Sequence, residues 1–265
     1  LYGNAPDCSR AQVMSANFVH LRFHSEYSIQ DGIVRLDPIL KEVMEQGGVA
    51  LGITDSMNLC GALRFYSHAI AGGIKPIVGC DLWITNAVHG KRDNPYRLTV
   101  YCQNHEGYLS LCELLSRGWM ENQYLGRGEV RLEWLTTDNC KGLICLSGGP
   151  QGVIEQHLLE DNKSEAQAVL EQLREAFPER FYLEVQRAGR KNDEAVVAHI
   201  AELAVETGLP MVATHPVQFL HREDFNAHEV RCCIAGGYVL ADPHRPKLYT
   251  CLLYTSPSPR DTERS

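Results

Sequence analysis

In the run Phe18-Val-His-Leu-Arg-Phe-His-Ser-Glu-Tyr-Ser-Ile-Gln-Asp31, two histidines, an arginine and an aspartate stand at spacings that could do chemistry. Read as a strand, the run alternates, so His20, Arg22 and His24 share one face. Polar side chains of this kind do not suit an apolar core. They suit the mouth of a barrel, where a metal or a phosphate could sit. Asp31 follows within reach of a loop. Imidazoles with a carboxylate form the ligand set of a zinc or manganese site. Arg22 stands where a further ligand would be expected, and a guanidinium does not bind a metal. For His20 the alternative is a hydrogen-bonded histidine at a strand end.

The elements that would position these residues alternate along the chain. Pro38, after a capping Asp37, opens a helix over 39–46 that stops at Gly47-Gly48. Residues 49–54 read as a buried strand ending at Asp55. Residues 59–71 read as a helix with Leu63, Tyr66 and Ile70 on its apolar stripe. Strands are expected at 76–84 and 97–102, then a helix from His105 with Tyr108, Leu111, Cys112 and Leu115 on one face, and a loop over 120–131. A strand at 142–147 precedes a helix from about Ser164, with Ser164 and Gln167 as a capping box. Further strands are expected at 181–185 and 211–214. They flank a helix over 193–207 whose inner face is Val196, Ile200, Leu203 and Ala204, and a last helix covers 223–235. Short apolar strands separated by amphipathic helices predict an α/β fold with a parallel sheet, either a barrel or a doubly wound sheet. His24, Asp55, Asp81, Glu184 and His215 gather at strand C-termini, where a barrel places its chemistry. Neither G-x-G-x-x-G nor a P-loop follows the first strands.

Composition narrows the classes. The 265 residues are 44% hydrophobic and carry a formal net charge of -8, which disfavours a dominant nucleic-acid groove. There is no apolar run of membrane-span length and no signal peptide, which points to the cytoplasm. Ten cysteines, with no C-x-x-C pair, read as reduced, buried small hydrophobes. Both ends look foreign. Residues 1–13 lack periodicity and Met14 stands directly before the first strand, so 1–13 read as a non-native or untranslated upstream extension and 14–249 as the folded domain. Residues 250–265, with Pro257 and Pro259, read as a foreign or disordered tail similar to translated adapter sequence, with the natural protein continuing beyond Tyr249.

The runs F-V-H-L-R-F-H-S-E-Y-S (18–28), G-I-T-D-S-M-N-L-C-G-A-L (52–63) and G-I-K-P-I-V-G-C-D (73–81) resemble the start of bacterial replicative DNA polymerase III alpha subunits. So do Leu146-Ser-Gly148, Tyr182-Leu-Glu184, Val212-Ala-Thr214 and Asp224-Phe-Asn-Ala-His228. The resemblance, over about 14–249, is to the polymerase-and-histidinol-phosphatase (PHP) domain that opens this C-family polymerase. It implies a distorted seven-stranded (β/α) barrel. In competent members it also implies up to three metal ions and phosphoesterase or proofreading exonuclease activity. Of the ligand positions this family implies, the chain keeps only His24, Asp31 and Asp81. Arg22, Ser56, Arg97, Gly149, Pro216 and Gln218 stand where ligands are lost. Three scattered ligands cannot close a multi-metal site.

The substitutions suggest a different arrangement, in which Arg22 and Arg97 pair with Asp31, Asp55, Asp81 and Glu184 as a structural charge network. His228 reads as a packing and capping residue, and His215-Pro216 as a former ligand loop. Three functions are weighed. The first is a non-catalytic module of a replicative polymerase on which a separate proofreading exonuclease subunit docks. The second is a surviving metal-dependent 3'-5' exonuclease or phosphoesterase. The third is a stand-alone small-substrate phosphatase. The resemblance favours the first. It leaves no catalytic residue and no cofactor in this domain, with Mg, DNA contact and nucleotidyl transfer belonging to downstream parts of the alpha subunit.

Overall fold

The computed structural model describes residues 18–254 apart from 89–90, 93, 243 and 248. In chain order its elements are β1 (Arg22–Phe23), α1 (Leu36–Glu45), β2 (Ala50–Ile53), α2 (Ala62–Ala71), β3 (Lys75–Ile84), β4 (Ala87–Val88), β5 (Lys91–Arg92), β6 (Tyr96–Cys102), α3 (His105–Glu121), β7 (Gln123–Tyr124) and β8 (Arg127–Gly128). Then follow β9 (Leu143–Leu146), α4 (Val153–Leu159), α5 (Lys163–Ala176), β10 (Phe181–Val185), α6 (Asp193–Thr207), β11 (Met211–Ala213), β12 (Pro216–Val217) and α7 (Phe225–Gly236).

The main sheet has the order β11-β10-β9-β6-β3-β2, and β1 pairs in parallel with β12. Backbone bonds from Gly52 N–H to His20 O (2.8 Å) and from Thr54 N–H to Phe23 O (3.0 Å) bring β1 against β2. The sheet therefore curls into a distorted α/β barrel, with β11 and β12 acting as one strand broken at Thr214 and His215. Gly52 makes the β1–β2 approach possible, since a Cβ there would lie 2.3 Å from Leu21 O.

The sheet is mixed, which corrects the expectation of a parallel one. β6 runs antiparallel to both β3 and β9. The link from Thr85 to Pro95 is shorter than the roughly dozen or more residues, usually helical, that a parallel crossover needs. It instead turns back through the β4–β5 hairpin.

The larger core lies between the sheet and α3–α6, with Leu82, Leu98, Val100, Leu111, Leu170, Phe177, Leu183 and Ile200 buried in it. The inner face expected for α6 is the one that packs there. A second core joins β1 and β2 to α1 and α2. On α2 the expected stripe is wrong: Leu63, Tyr66 and Ile70 are 79%, 51% and 55% exposed, while Ala62, Phe65 and Ala69 face inward. The helix is apolar on two faces. Phe65, edge-on to Phe23 with centroids 5.7 Å apart, decides which face the core takes.

Smaller differences also have local causes. α1 begins at Leu36, so Asp37 lies inside its first turn and pairs with Arg64 and His68 across to α2. The Ser164 capping box is absent. Asn162 holds the N-cap, and Ser164 donates to its side chain at 3.2 Å. Tyr108 is exposed on α3, and the expected 120–131 loop contains the β7–β8 hairpin. Helix α4 had no counterpart in the sequence reading.

Residues 1–13 lie outside the described residues, as do 255–265 of the expected tail. Residues 250–254, placed in that tail by the sequence, pack against the barrel. Leu253 is fully buried, and its carbonyl accepts the Gln218 N–H at 2.9 Å. Among the described residues no helix is long and apolar enough to cross a membrane.

Candidate functional site

The mouth of the barrel is a narrow cleft with about 20 Å³ open to water. Its lining includes Arg22, His24, Asp31, Asp81, Arg97, Gly148, Gln186, Arg190, Pro216, Gln218 and Tyr249. Seven of the nine positions at which the family resemblance implies ligands, kept or lost, thus line a single cleft. Of the other two, Ser56 sits beside it, its backbone bridged to Asp81. Gly149 follows Gly148 with a φ of +62°.

Inside the cleft the charges alternate. Arg22 Nη1 donates to Glu184 Oε1 and Oε2 at 3.0 and 3.2 Å, and Arg22 Nη2 donates to Asp81 Oδ2. His24 Nε2 lies 2.8 Å from the same Asp81 oxygen, and His24 Nδ1 lies 3.0 Å from Asp31 Oδ1. The series Glu184, Arg22, Asp81, His24, Asp31 joins β10, β1, β3 and the loop after β1. All five residues are buried. Neutral donors complete the carboxylates: Thr99 on Asp81 at 2.7 Å, Ser28 on Asp31 at 2.9 Å, and Gln186 (2.8 Å) and Thr214 on Glu184.

Burial alone would raise the carboxyl pKa values and lower that of the imidazole. The opposite charges outweigh it. His24 is pushed up to about 10 by Asp31 and Asp81. Asp31 is held down to about 2 by His24. Asp81 is held well below the usual carboxylate range by Arg22 and His24. Arg22 is raised in turn, burial being outweighed by Asp81 and Glu184.

Two residues expected in this network are not in it. Asp55 accepts from Ser25, from its N–H at 2.6 Å and its hydroxyl at 2.7 Å, and among the described residues it forms no ion pair with a guanidinium. With burial dominant, its pKa rises to about 6. Arg97 makes no ion pair among the described residues. Its guanidinium lies 4.7 Å over the Trp83 ring, with Nη1 3.5 Å from Ser56 Oγ. The β3–β6 register explains both this and the role of Thr99: Trp83 stands opposite Arg97, and Asp81 opposite Thr99.

The other histidines have structural partners. The His228 ring is 2.9 Å from Asp31 O and edge-on to Tyr249. His215 is 3.1 Å from Tyr254 O, and burial lowers its pKa. His20 is buried with its ring 5.0 Å from Phe18. One buried pair was not anticipated. Ser147 donates to Glu155, whose pKa burial drives well up, and also accepts the Glu184 N–H at 2.9 Å.

These side chains do not fit a family-type metal centre. Both His24 nitrogens face carboxylates, Asp81 Oδ2 is shared between Arg22 and His24, and a guanidinium occupies the middle. Among the described residues no group of three or more His, Cys, Asp or Glu side chains is arranged to hold a metal ion.

The sequence profile of the PHP domain matches residues 20–188. The chain is 43% identical over 238 residues to DNA polymerase III subunit alpha of Pseudomonas aeruginosa, covering 89% of this chain and 20% of that protein. It is 40% identical over 233 residues to the subunit of the same name from Escherichia coli K12, covering 88% and 20%. It thus spans about a fifth of the length of these curated relatives. In fold it is similar to an amidohydrolase from Chromobacterium violaceum, with a TM-score of 0.53 at 12% identity, covering 82% of this chain and 97% of that one. A candidate metal-dependent phosphoesterase from Bifidobacterium adolescentis gives a TM-score of 0.52 at 10% identity, covering 76% and 87%.

Proposed function

The chain belongs to the PHP domain family, and on that footing we propose that it is the N-terminal PHP region of a bacterial DNA polymerase III alpha subunit, serving there as a non-catalytic structural and docking module. The observation that carries this reading is the Arg22 guanidinium bonded between Asp81 and Glu184 in the middle of the cleft. A fixed cation there supplies the charge balance that bridging metals would supply, but it can neither activate a water nor polarise a phosphoryl oxygen as a metal does. On this reading DNA synthesis belongs to the full alpha subunit. The polymerase carboxylates and their Mg lie downstream, DNA is met through those downstream parts, and the whole works in the cytoplasm.

The proposed partners are the remainder of the alpha subunit and the proofreading exonuclease subunit. The net charge of -8 and the exposed apolar stripe of α2 support protein contact over a DNA grip.

The test is metal content after incubation with Zn and Mn and removal of excess, read beside 3'-5' exonuclease activity and co-elution with the proofreading subunit. Substoichiometric metal, no nuclease activity and co-elution are expected. Stoichiometric metal with nuclease activity would establish the phosphoesterase reading instead.

A further inference from the structure

Glu155 stands in the first turn of α4 and is 1% exposed. Among the described residues it forms no ion pair. Its Oε1 meets the Ser147 hydroxyl at the end of β9, while Oε2 is buried with no hydrogen-bond partner. The same hydroxyl oxygen accepts the Glu184 N–H at 2.9 Å, so Ser147 links two buried acidic residues.

The surroundings of Oε2 suit an O–H better than a bare charge. A Cβ on Gly152 would lie 2.0 Å from Glu155 Oε2 and 2.2 Å from Ser147 O. The second carboxyl oxygen is therefore crowded beside a carbonyl oxygen over the bare Gly152 Cα. A carbonyl accepts from an O–H and repels a carboxylate. Charged neighbours do not compensate. Glu184, on β10, is a like charge, and Arg22, on β1, is already bonded to Glu184 and Asp81. On β6, Arg97 is bridged to Gly152 only through its backbone, its guanidinium lying over Trp83. Helices α5 and α6 bring the apolar Val169, Leu170, Val196 and Ile200 to the core that holds Val153 and Ile154. On α4 itself, His157 lies in the last turn beside Tyr96. The N-terminus of α4 favours a charge, but by less than burying an unpaired carboxylate costs.

We propose that Glu155 is a proton latch: it is held as a neutral carboxylic acid that fastens the first turn of α4 to β9 and β10 through Ser147, and loss of its proton to a base in solution releases that turn. Burial accordingly drives its pKa well above the ordinary 4.5. Between those two values the folded chain keeps a proton that the unfolded chain has given up. The contribution of Glu155 is thus complete below about 4.5 and is lost as pH rises through the raised value. Within that window this group increases the unfolding constant by up to about tenfold per pH unit.

Urea unfolding of the wild type and Glu155→Gln from pH 5 to 8 tests the latch, since the amide reproduces the neutral acid in shape and keeps a donor. The ratio of the wild-type unfolding constant to that of the variant should rise at least about tenfold across the range. For Glu202→Gln, at an exposed position of α6, the ratio should stay constant. Infrared spectra at pH 8 should show the carboxylic C=O stretch of a protonated side chain in the folded wild type and none in Glu155→Gln. Asp55, raised only to about 6, is ionised at that pH and does not contribute. Amide exchange over 153–159, corrected for its intrinsic pH dependence, should quicken with pH in the wild type and stay level in the variant. Should Glu155→Gln fail to fold, the wild-type spectrum and exchange decide alone. A ratio independent of pH, no protonated carboxyl in the wild type at pH 8, a band that persists in Glu155→Gln, or wild-type exchange that stays level overturns the latch.

Discussion

Replacing Arg22 with alanine removes the one cation bonded to both Asp81 and Glu184. The two acids do not lose equally. Asp81 keeps His24 at 2.8 Å and Thr99 at 2.7 Å. Glu184 keeps only neutral donors, Gln186 at 2.8 Å and Thr214, while remaining 0% exposed. One buried charge is therefore stranded rather than two, and the single-pair cost of about 3–5 kcal/mol applies without doubling. At roughly 2–4 °C per kcal/mol for a domain of this size, the melting temperature should drop by about 6–20 °C.

The assay is thermal unfolding followed by circular dichroism at pH 7, for the wild type, Arg22→Ala, Glu184→Gln and the double variant. Adding Glu184→Gln to Arg22→Ala should restore much of the loss, because it removes the stranded charge and keeps an amide for Thr214 and Gln186. A shift below about 2 °C for Arg22→Ala, or a double variant no better than the single, would refute the assignment of Glu184 as the stranded partner.

Two further predictions concern stability. His24 has a folded pKa of about 10 against an ordinary 6.5, so its contribution is complete below about pH 6.5 and is lost as pH rises through 10. Melting temperatures recorded from pH 6 to 10 should fall across that window, and His24→Gln should flatten the fall; a parallel decline in the variant would remove His24 as its cause. On α2, Phe65→Ala should cost about 3–5 kcal/mol, whereas Leu63→Ala should stay within about 0.5 kcal/mol, as measured by urea unfolding. The reverse order would put the helix on the core by its other face.

Much of the site's position was legible in the sequence, because strand alternation and strand C-termini are local signals. His24, Asp81 and Glu184 needed only the strand pattern to be placed at one barrel mouth. Arg97 needed more. Its partner depends on the β3–β6 register, and a slip of two residues exchanges Asp81 for Trp83 as the group opposite it. The short link between those strands already implied a hairpin and so an antiparallel pair, a signal the helix–strand alternation masked. The neutral donors Thr99, Thr214, Ser28 and Gln186 carry no spacing signature, since each is a single polar residue: Thr99 in the middle of β6, Ser28 in the loop after β1, and Gln186 and Thr214 just past β10 and β11. The α2 face was illegible for another reason: apolar residues lie on both sides of the helix, and the choice rests on the distant Phe23.

Arg22 and His24 hold the barrel mouth by unequal means. Arg22 ties β1 to β3 and β10 across sequence separations of 59 and 162 residues, closing long loops. A guanidinium stays charged throughout the accessible pH range, so this tie weakens only when its carboxylates are protonated. His24 ties β1 to β3 and to Asp31 through an imidazole that can itself lose its charge. On the acid side, Asp31 gives up its contribution as pH falls from its ordinary value near 3.8 toward about 2. On the alkaline side the imidazole fails first. As pH rises, then, the mouth should loosen at Asp31, whose charged partner is His24, while Glu184 stays bonded to Arg22. The loop carrying Asp31, with Ser28 and the His228 contact behind it, is the part of the barrel that loosens as pH rises, and the β1–β10 connection is the part that does not.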